Sequence, residues 1–376
     1  MNPYRVGIVG LGAIGKVHAY GYRNLSFFYD PVPLEAQITH VVTARAETAE
    51  KARQVVGAQV ASTDYRDVTE NPEIDIVHIC TPNSAHKEAL LSAMAHQKHI
   101  FCDKPLVNTS EEADEIEAAL ADYQGVAQMT FHNRFFPATI HAKRLVDQGA
   151  IGQVLQFRGA YLHSGSADPD APLRWKLTAA AGGGVIADIA SHVLDSLDWL
   201  IGPFKSFQAM THIAFPERPL PDDPCKKGPV DAEDCVLVLA ELAAGAVGIL
   251  EASKIATGME DELRLEIHGT RGALRFNLMD PHHLEYYNAT VLYPPSGSRG
   301  WTRIDTGQRY EPPAAGFPSP KAATGWLRGH VGCLANFLFA VAEKRPAEPG
   351  FRQGIRIQRL MAAVRRSAAE QCRIDL

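Results

Sequence analysis

Asp188 and His192 stand four residues apart in the run GGGVIADIASH, residues 182–192. On a helix that spacing puts both side chains on one face, with Asp195 one turn further on. A carboxylate so placed orients an imidazole and stabilises its charged form, an arrangement that suits proton transfer. A metal site or a plain helix-surface hydrogen bond would also use these two residues. The metal reading lacks an obvious fourth ligand, because Asp280-Pro281-His282-His283 reads as a surface turn; no metal is expected. Lys104 lies in FCDKPL, just past a short apolar run. Burial or cationic neighbours can bring a lysine into a useful pKa range, so that it holds a hydroxyl or relays its proton. Taken alone, Lys104 is more simply an ordinary surface lysine.

A glycine turn supplies a second chemistry. Gly10-Leu11-Gly12-Ala13-Ile14-Gly15 follows the β-branched run YRVGIV and opens a helical pattern. Strand, glycine turn and helix in this order let the backbone close on a pyrophosphate, and the helix N-terminus presents N–H groups to it. A glycine-rich structural turn is the plainer alternative. After the second strand, Thr43-Ala44-Arg45 offers no carboxylate for an adenosine 2′-hydroxyl but does offer a guanidinium for a 2′-phosphate. The cofactor expectation is therefore NADP or NAD, leaning to NADP, unless Arg45 is solvated or stacks on adenine. Thr81, Pro82 and Asn83 follow the third strand, where ligands bind in open α/β sheets, and are expected to wall the cofactor. His86 either faces that site or only starts a helix.

The elements that must position these residues can be read from periodicity. Strands at 4–9, 38–43, 74–79, 99–102 and 126–131 alternate with helices at 47–56, 84–96 and 109–121. Apolar runs at this spacing indicate βαβ units and a doubly wound α/β fold with a parallel sheet. After residue 130 the rhythm changes. Helices are expected at 135–148 and 185–200, and a strand at 154–162. Further strands follow at 204–213, 234–242, 246–254, 263–269 and 273–278, with turns at Ala243-Ala244-Gly245 and Thr270-Arg271-Gly272. Such hairpins imply an antiparallel sheet. Residues 215–229 read as an irregular Pro-rich loop, and 332–343 and 354–370 as helices. The expected division is a dinucleotide-binding domain at 1–130 and a second domain at 131–376, whose last helix is free to pack back on the first.

Composition narrows the function classes. The 376 residues suffice for about two domains, and 46% apolar with 21% charged residues describe a globular chain. A net charge of −6 and a pI near 6.2 argue against a general nucleic-acid partner. The six cysteines form no C-x-x-C pair and fit no zinc spacing, which points to a reducing compartment. Neither a signal peptide nor an apolar run of membrane-spanning length is evident. The expectation is a cytoplasmic protein with no membrane partner.

In order along the chain, GLGAIG, CTPNSAH, KHIFCDKPL, FHNRFFPA, RWK, GGGVIADIASHVLDSLDWLIG and GIRIQRLMAAVRRSAA resemble the Gfo/Idh/MocA family of glucose–fructose oxidoreductase and inositol 2-dehydrogenase. The family's Glu-Lys-Pro is here Asp103-Lys104-Pro105, a shorter acid beside the same lysine. The resemblance implies an N-terminal Rossmann domain and a C-terminal α/β domain with a large, open, mostly antiparallel sheet, often packed against another subunit, hence a homo-oligomer. It makes Lys104 the catalytic lysine, and Asp188 and His192 the acid–histidine pair beside the substrate ring. Asp103, Lys104 and Arg134 then border the cofactor, and Trp175 and Lys176 flank the active site. His163, with Tyr161, Asp168 and Trp175, belongs to a loop suited to cover a polar ring. The implied reaction is reversible oxidation of a secondary ring hydroxyl of a sugar or polyol. His192 accepts the proton, Asp188 orients it, and Lys104 stabilises the oxygen. Other chemistries on this fold are an NAD-dependent glycoside hydrolase working by transient oxidation and a non-catalytic dinucleotide sensor. A Schiff-base lyase using Lys104 is disfavoured by GLGAIG.

Overall fold

The computed structural model describes residues 3–291 and 299–376. It contains two compact units: Met1–His132 with Tyr310–Ser319 and Leu327–Gln358, and Asn133–Arg309 with Pro320–Trp326 and Arg359–Leu376. The chain returns to the first unit over 310–319 and 327–358, whereas most of the last helix, from Arg359 on, belongs to the second.

In the first unit, β1 (Tyr4–Val9), α1 (Ala13–Phe28), β2 (Ala36–Val42), α2 (Ala46–Val56), β3 (Val60–Ser62), α3 (Arg66–Thr69), β4 (Ile76–Ile79), α4 (His86–Ala95), β5 (His99–Cys102), α5 (Ser110–Ala119) and β6 (Ala127–Met129) follow in order. The strands form a parallel sheet in the order β3-β2-β1-β4-β5-β6, the arrangement of a dinucleotide-binding doubly wound fold. Val6, Ile8, Ile76, Ile79 and Ile100 are fully buried, which explains why these strands read as unbroken apolar runs. Thr109 caps α5 in a reciprocal bond with Glu112. Residues 27–34 clasp the segment 310–319: Asp30 N–H donates to Pro313 O at 3.1 Å, and Ala315 N–H to Phe28 O at 2.8 Å. The Arg328 guanidinium stacks over Phe28, Tyr29 and Tyr310.

The second unit holds α6 (Pro137–Asp147), β7 (Val154–Leu162), α7 (Ser191–Ile201), β8 (Phe204–His212), β9 (Glu217–Leu220), β10 (Asp223–Pro229), β11 (Cys235–Leu242), β12 (Val247–Ser253), β13 (Glu262–Gly269), β14 (Gly272–Asn277), β15 (His283–Asn288) and β16 (Thr302–Asp305). Then come α8 (Gly325–Glu343) and α9 (Phe351–Glu370), which the division between the units cuts, and β17 (Ile374–Asp375). Nine strands make one sheet, β16-β15-β14-β13-β7-β12-β11-β8-β17. All its pairs are antiparallel except β7 with β12. Residues 215–229, expected as an irregular loop, instead form the separate hairpin β9–β10; a two-stranded ribbon is all edge, so its prolines are tolerated. Gly159 on β7 lets α7 lie close to the sheet, since a Cβ there would stand 2.6 Å from Val193. On the other face Met210, Leu237, Leu239 and Ile249 are exposed, and the register sets Leu237 beside Met210.

Candidate active site

The first unit builds a cradle for an anion. Gly10 has φ +92°, and a Cβ there would lie 2.5 Å from Cys80 O, so the position requires glycine. A Cβ on Gly15 would strike Gly10 O, which is why α1 can sit directly on the turn. Gly12 differs. It is the exposed N-cap of α1, makes no side-chain cap, and has no protein atom within 4 Å of where a Cβ would project. No acid occupies the first turn of α1. The open N–H groups at Gly12, Ala13 and Ile14 therefore fit a dinucleotide pyrophosphate. Ala44 and Arg45 are exposed after β2, and Thr43 Oγ1 and Thr48 Oγ1 are bonded at 2.6 Å across the entry to α2.

The two loops beyond β4 and β5 are braced by His86. This ring is fully buried, with Nε2 3.0 Å from Thr81 O and Nδ1 3.1 Å from both Pro105 O and Leu106 O. Of its two sequence readings, His86 thus starts α4 and ties CTPN to DKPL; with its nitrogens committed to backbone, it is not presented to a cofactor. Thr81 and Pro82 remain accessible, whereas Asn83 is buried. Asp103 accepts from Thr130 Oγ1 at 2.7 Å. Lys104 is partly exposed, and its charge, second to burial, holds the His132 imidazole down to about 3.

The second unit collects the proton chemistry. Asp188 sits in a π-helical turn, Ile186–Ala190, that runs into α7; such turns recur at functional sites. The three glycines before it serve the protein's own packing: Gly183 N–H donates to Thr178 O, Gly184 N–H to Lys176 O, and a Cβ on Gly184 would strike the Glu233 carboxylate. Glu233 receives the Ile186 N–H at 3.1 Å. Lys176 Nζ reaches both Asp188 oxygens, at 2.9 and 3.1 Å. Lys254 Nζ lies 3.3 Å from Asp188 Oδ2, and burial lowers its pKa, with Asp188 opposing the shift. His192 is buried one turn on, its ring 5.9 Å from that of Tyr161. Tyr161 Oη donates to Asp261 at 2.8 Å, and burial raises its pKa. His163 Nδ1 accepts the Gly165 N–H at 3.0 Å, and burial lowers its pKa.

Other expected site residues fall differently. Trp175 is 38% exposed, so it is no core anchor, and the Lys176 ammonium stands over its ring. Asp168 is exposed, and its carbonyl, with that of Ser166, is held by the buried Arg218. Arg134, expected at the cofactor, makes a buried bidentate pair with Asp195 and lies over Trp199; it fixes α7, and with it His192. Lys254 escaped the sequence reading, as did Asn133, whose buried amide has no hydrogen-bond partner among the described residues. No group of three or more His, Cys, Asp or Glu side chains able to hold a metal occurs among those residues.

Known proteins place this arrangement. Residues 4–131 match an oxidoreductase family with an NAD-binding Rossmann fold, and residues 139–275 match the GFO/IDH/MocA C-terminal domain. Levoglucosan dehydrogenase of Pseudarthrobacter phenanthrenivorans is 33% identical, over all of this chain and 99% of its own. Inositol 2-dehydrogenase of Rhizobium meliloti is 25% identical over 99% of each. A solved levoglucosan dehydrogenase complex with NADH and levoglucosan superposes with a TM-score of 0.94 at 34% identity, covering 100% of this chain and 99% of that one. With the glycine cradle, the DKP lysine and the Asp188–His192 turn in place, the chain belongs to the Gfo/Idh/MocA family and is a nicotinamide-dependent oxidoreductase.

Proposed function

We propose that the protein reversibly oxidises a secondary ring hydroxyl of a sugar, a sugar derivative or an inositol to the ketone. The observation that carries this reading is the π-turn carboxylate Asp188, held by two lysines one turn before His192. A bound NAD or NADP supplies the hydride acceptor. His192 accepts the hydroxyl proton, Asp188 fixes and electrostatically supports that ring, and Lys104 donates to the reacting oxygen as negative charge develops on it. Trp175 gives an apolar face for a ring to stack on. The likeness to levoglucosan dehydrogenase makes levoglucosan the first substrate to try, with myo- and scyllo-inositol next. Initial rates with each, read as reduced cofactor, test the proposal. Hydrolysis without net reduction, or binding without turnover, would displace it.

The cofactor assignment turns on Arg45. The exposed guanidinium after β2, with no carboxylate among residues 43–45, favours NADP, whereas the solved levoglucosan dehydrogenase complexes hold NADH. Arg45→Asp is expected to lower the NADP:NAD ratio of kcat/KM by about tenfold, from loss of one charge-assisted phosphate contact. An unchanged ratio assigns Arg45 to solvent.

The exposed apolar face of the nine-stranded sheet is read as a contact between copies of this chain. Contiguous apolar patches of this kind mark interaction sites. Leu237→Glu with Leu239→Lys is expected to convert the oligomer to a monomer in light scattering; a wild-type monomer would overturn the reading. No helix among the described residues is long and apolar enough to cross a membrane. No disulfide joins any of the six cysteines among the described residues, as a cytoplasmic location would have it.

A further inference from the structure

We propose that Lys254 is a hydrogen-bond-donor subsite for a second substrate hydroxyl, on the carbon next to the one oxidised, and so selects vicinal diols. The inference rests on the reading of Asp188 and His192 given above.

Lys254 follows β12 and is pinned by its backbone: its N–H donates to Asp234 O at 2.9 Å, and its carbonyl accepts the Ser166 N–H at 2.8 Å. The side chain is 4% exposed. An ammonium carries three N–H donors, yet among the described residues this one has a single partner, Asp188 Oδ2 at 3.3 Å. A buried cation with unmatched donors is costly, and burial accordingly depresses its pKa. Holding Asp188 does not account for it, because Lys176 already reaches both carboxylate oxygens at shorter range.

The surroundings define what those donors would meet. Asp188 beside Lys254 is an acceptor. His163, whose Nδ1 accepts a backbone N–H, carries its proton on Nε2 and is a further donor. A hydroxyl accepts from Lys254 and donates to Asp188 at once. An ether oxygen cannot donate, and an ionised carboxylate or phosphate is acceptor-only, so neither can bond to Lys254 and donate to Asp188 at once. The group that fits is a neutral hydroxyl, and its neighbour is the one whose proton His192 takes, one helical turn away.

The test compares wild type with Lys254→Met on whichever of levoglucosan, myo-inositol or scyllo-inositol turns over fastest, and on its monodeoxy derivatives. Lys254→Met is expected to lower kcat/KM for the parent about 30-fold, the loss of one hydrogen bond from a charged donor. One monodeoxy derivative is expected to be used almost equally by both enzymes, and Lys254→Arg to recover part of the parent rate. Unchanged melting and NADH binding establish the fold; if Lys254→Met melts early, Lys254→Gln replaces it. Equal losses on every derivative would mean that Lys254 acts only through Asp188, and no loss would mean that it touches nothing; either overturns the proposal. A wild type that neither oxidises nor, loaded with NADH, binds any of the three overturns the broader function as well.

Discussion

His192→Asn is expected to lower kcat by about 10²- to 10⁴-fold, the range for loss of a general base, while melting temperature and NADH binding stay close to wild type. The ring is buried on α7, and Asn fills much the same space without a basic nitrogen. α7 itself is held by the Arg134–Asp195 pair and by Gly159 beneath it, so the helix does not depend on the imidazole. Asp188→Asn should also cost turnover more than folding. It differs in one respect: Lys176 and Lys254 would then face a neutral amide, so a modest loss of stability accompanies the loss of rate. A purified His192→Asn enzyme with normal melting and normal turnover would remove His192 from the mechanism.

The second large effect is acid lability. Three of the buried histidines in the first unit carry this effect. Burial holds His18 down to about 4 and His132 to about 3, and pushes His78 well below 6.5. His18 and His78 are bonded through their Nδ1 atoms at 3.0 Å, with Tyr22 Oη 2.8 Å from His78 Nε2. The aromatic rings of Phe101 and Phe337 surround them. Above pH 6.5 neither folded nor unfolded chain protonates these groups, and the stability they permit is fully present. Below 6.5 the unfolded chain takes up protons that the folded one refuses, so stability falls until the folded values are reached. At pH 5 His18 and His132 each cost about 2 kcal/mol, already a large share of the roughly 5–15 kcal/mol that holds a domain together, and His78 acts in the same direction. Denaturant unfolding at pH 7.5 and pH 5 measures this directly. His78→Phe should reduce the pH slope, whatever it does to absolute stability. Equal stability at the two pH values would contradict the account.

What the sequence disclosed follows from the range of the interactions involved. The parallel sheet was legible because both its faces are buried, which forces continuous apolar runs. The cradle was legible because Gly10 and Gly15 answer a local steric demand. Asp188 and His192 were paired by spacing, but nothing local announced the π turn that carries the acid. Lys254 was invisible for a different reason. It closes an ordinary strand pattern, and only the sheet, with β12 beside β7 and α7 packed on β7, brings it to a carboxylate 66 positions earlier in the chain. The hairpin β9–β10 was missed because prolines argue against strands in general, though not against two edges paired with each other. Arg134 was read as facing the cofactor, and His86 as either facing it or only starting a helix; burial and exact partners make both of them braces.

The edge strand β6 has a consequence for how the protein is made. Its Met129 N–H is satisfied by Pro349 O at 2.8 Å, and its Gln128 side chain bonds Cys333 O and Asn336. While the ribosome is still adding the second unit, those partners do not exist, and the sheet ends in bare backbone. The nascent first unit must wait through some two hundred residues of synthesis with a sticky border, which is where chaperone capture or strand exchange between neighbouring polypeptides would strike. A chain released early would never acquire its seal.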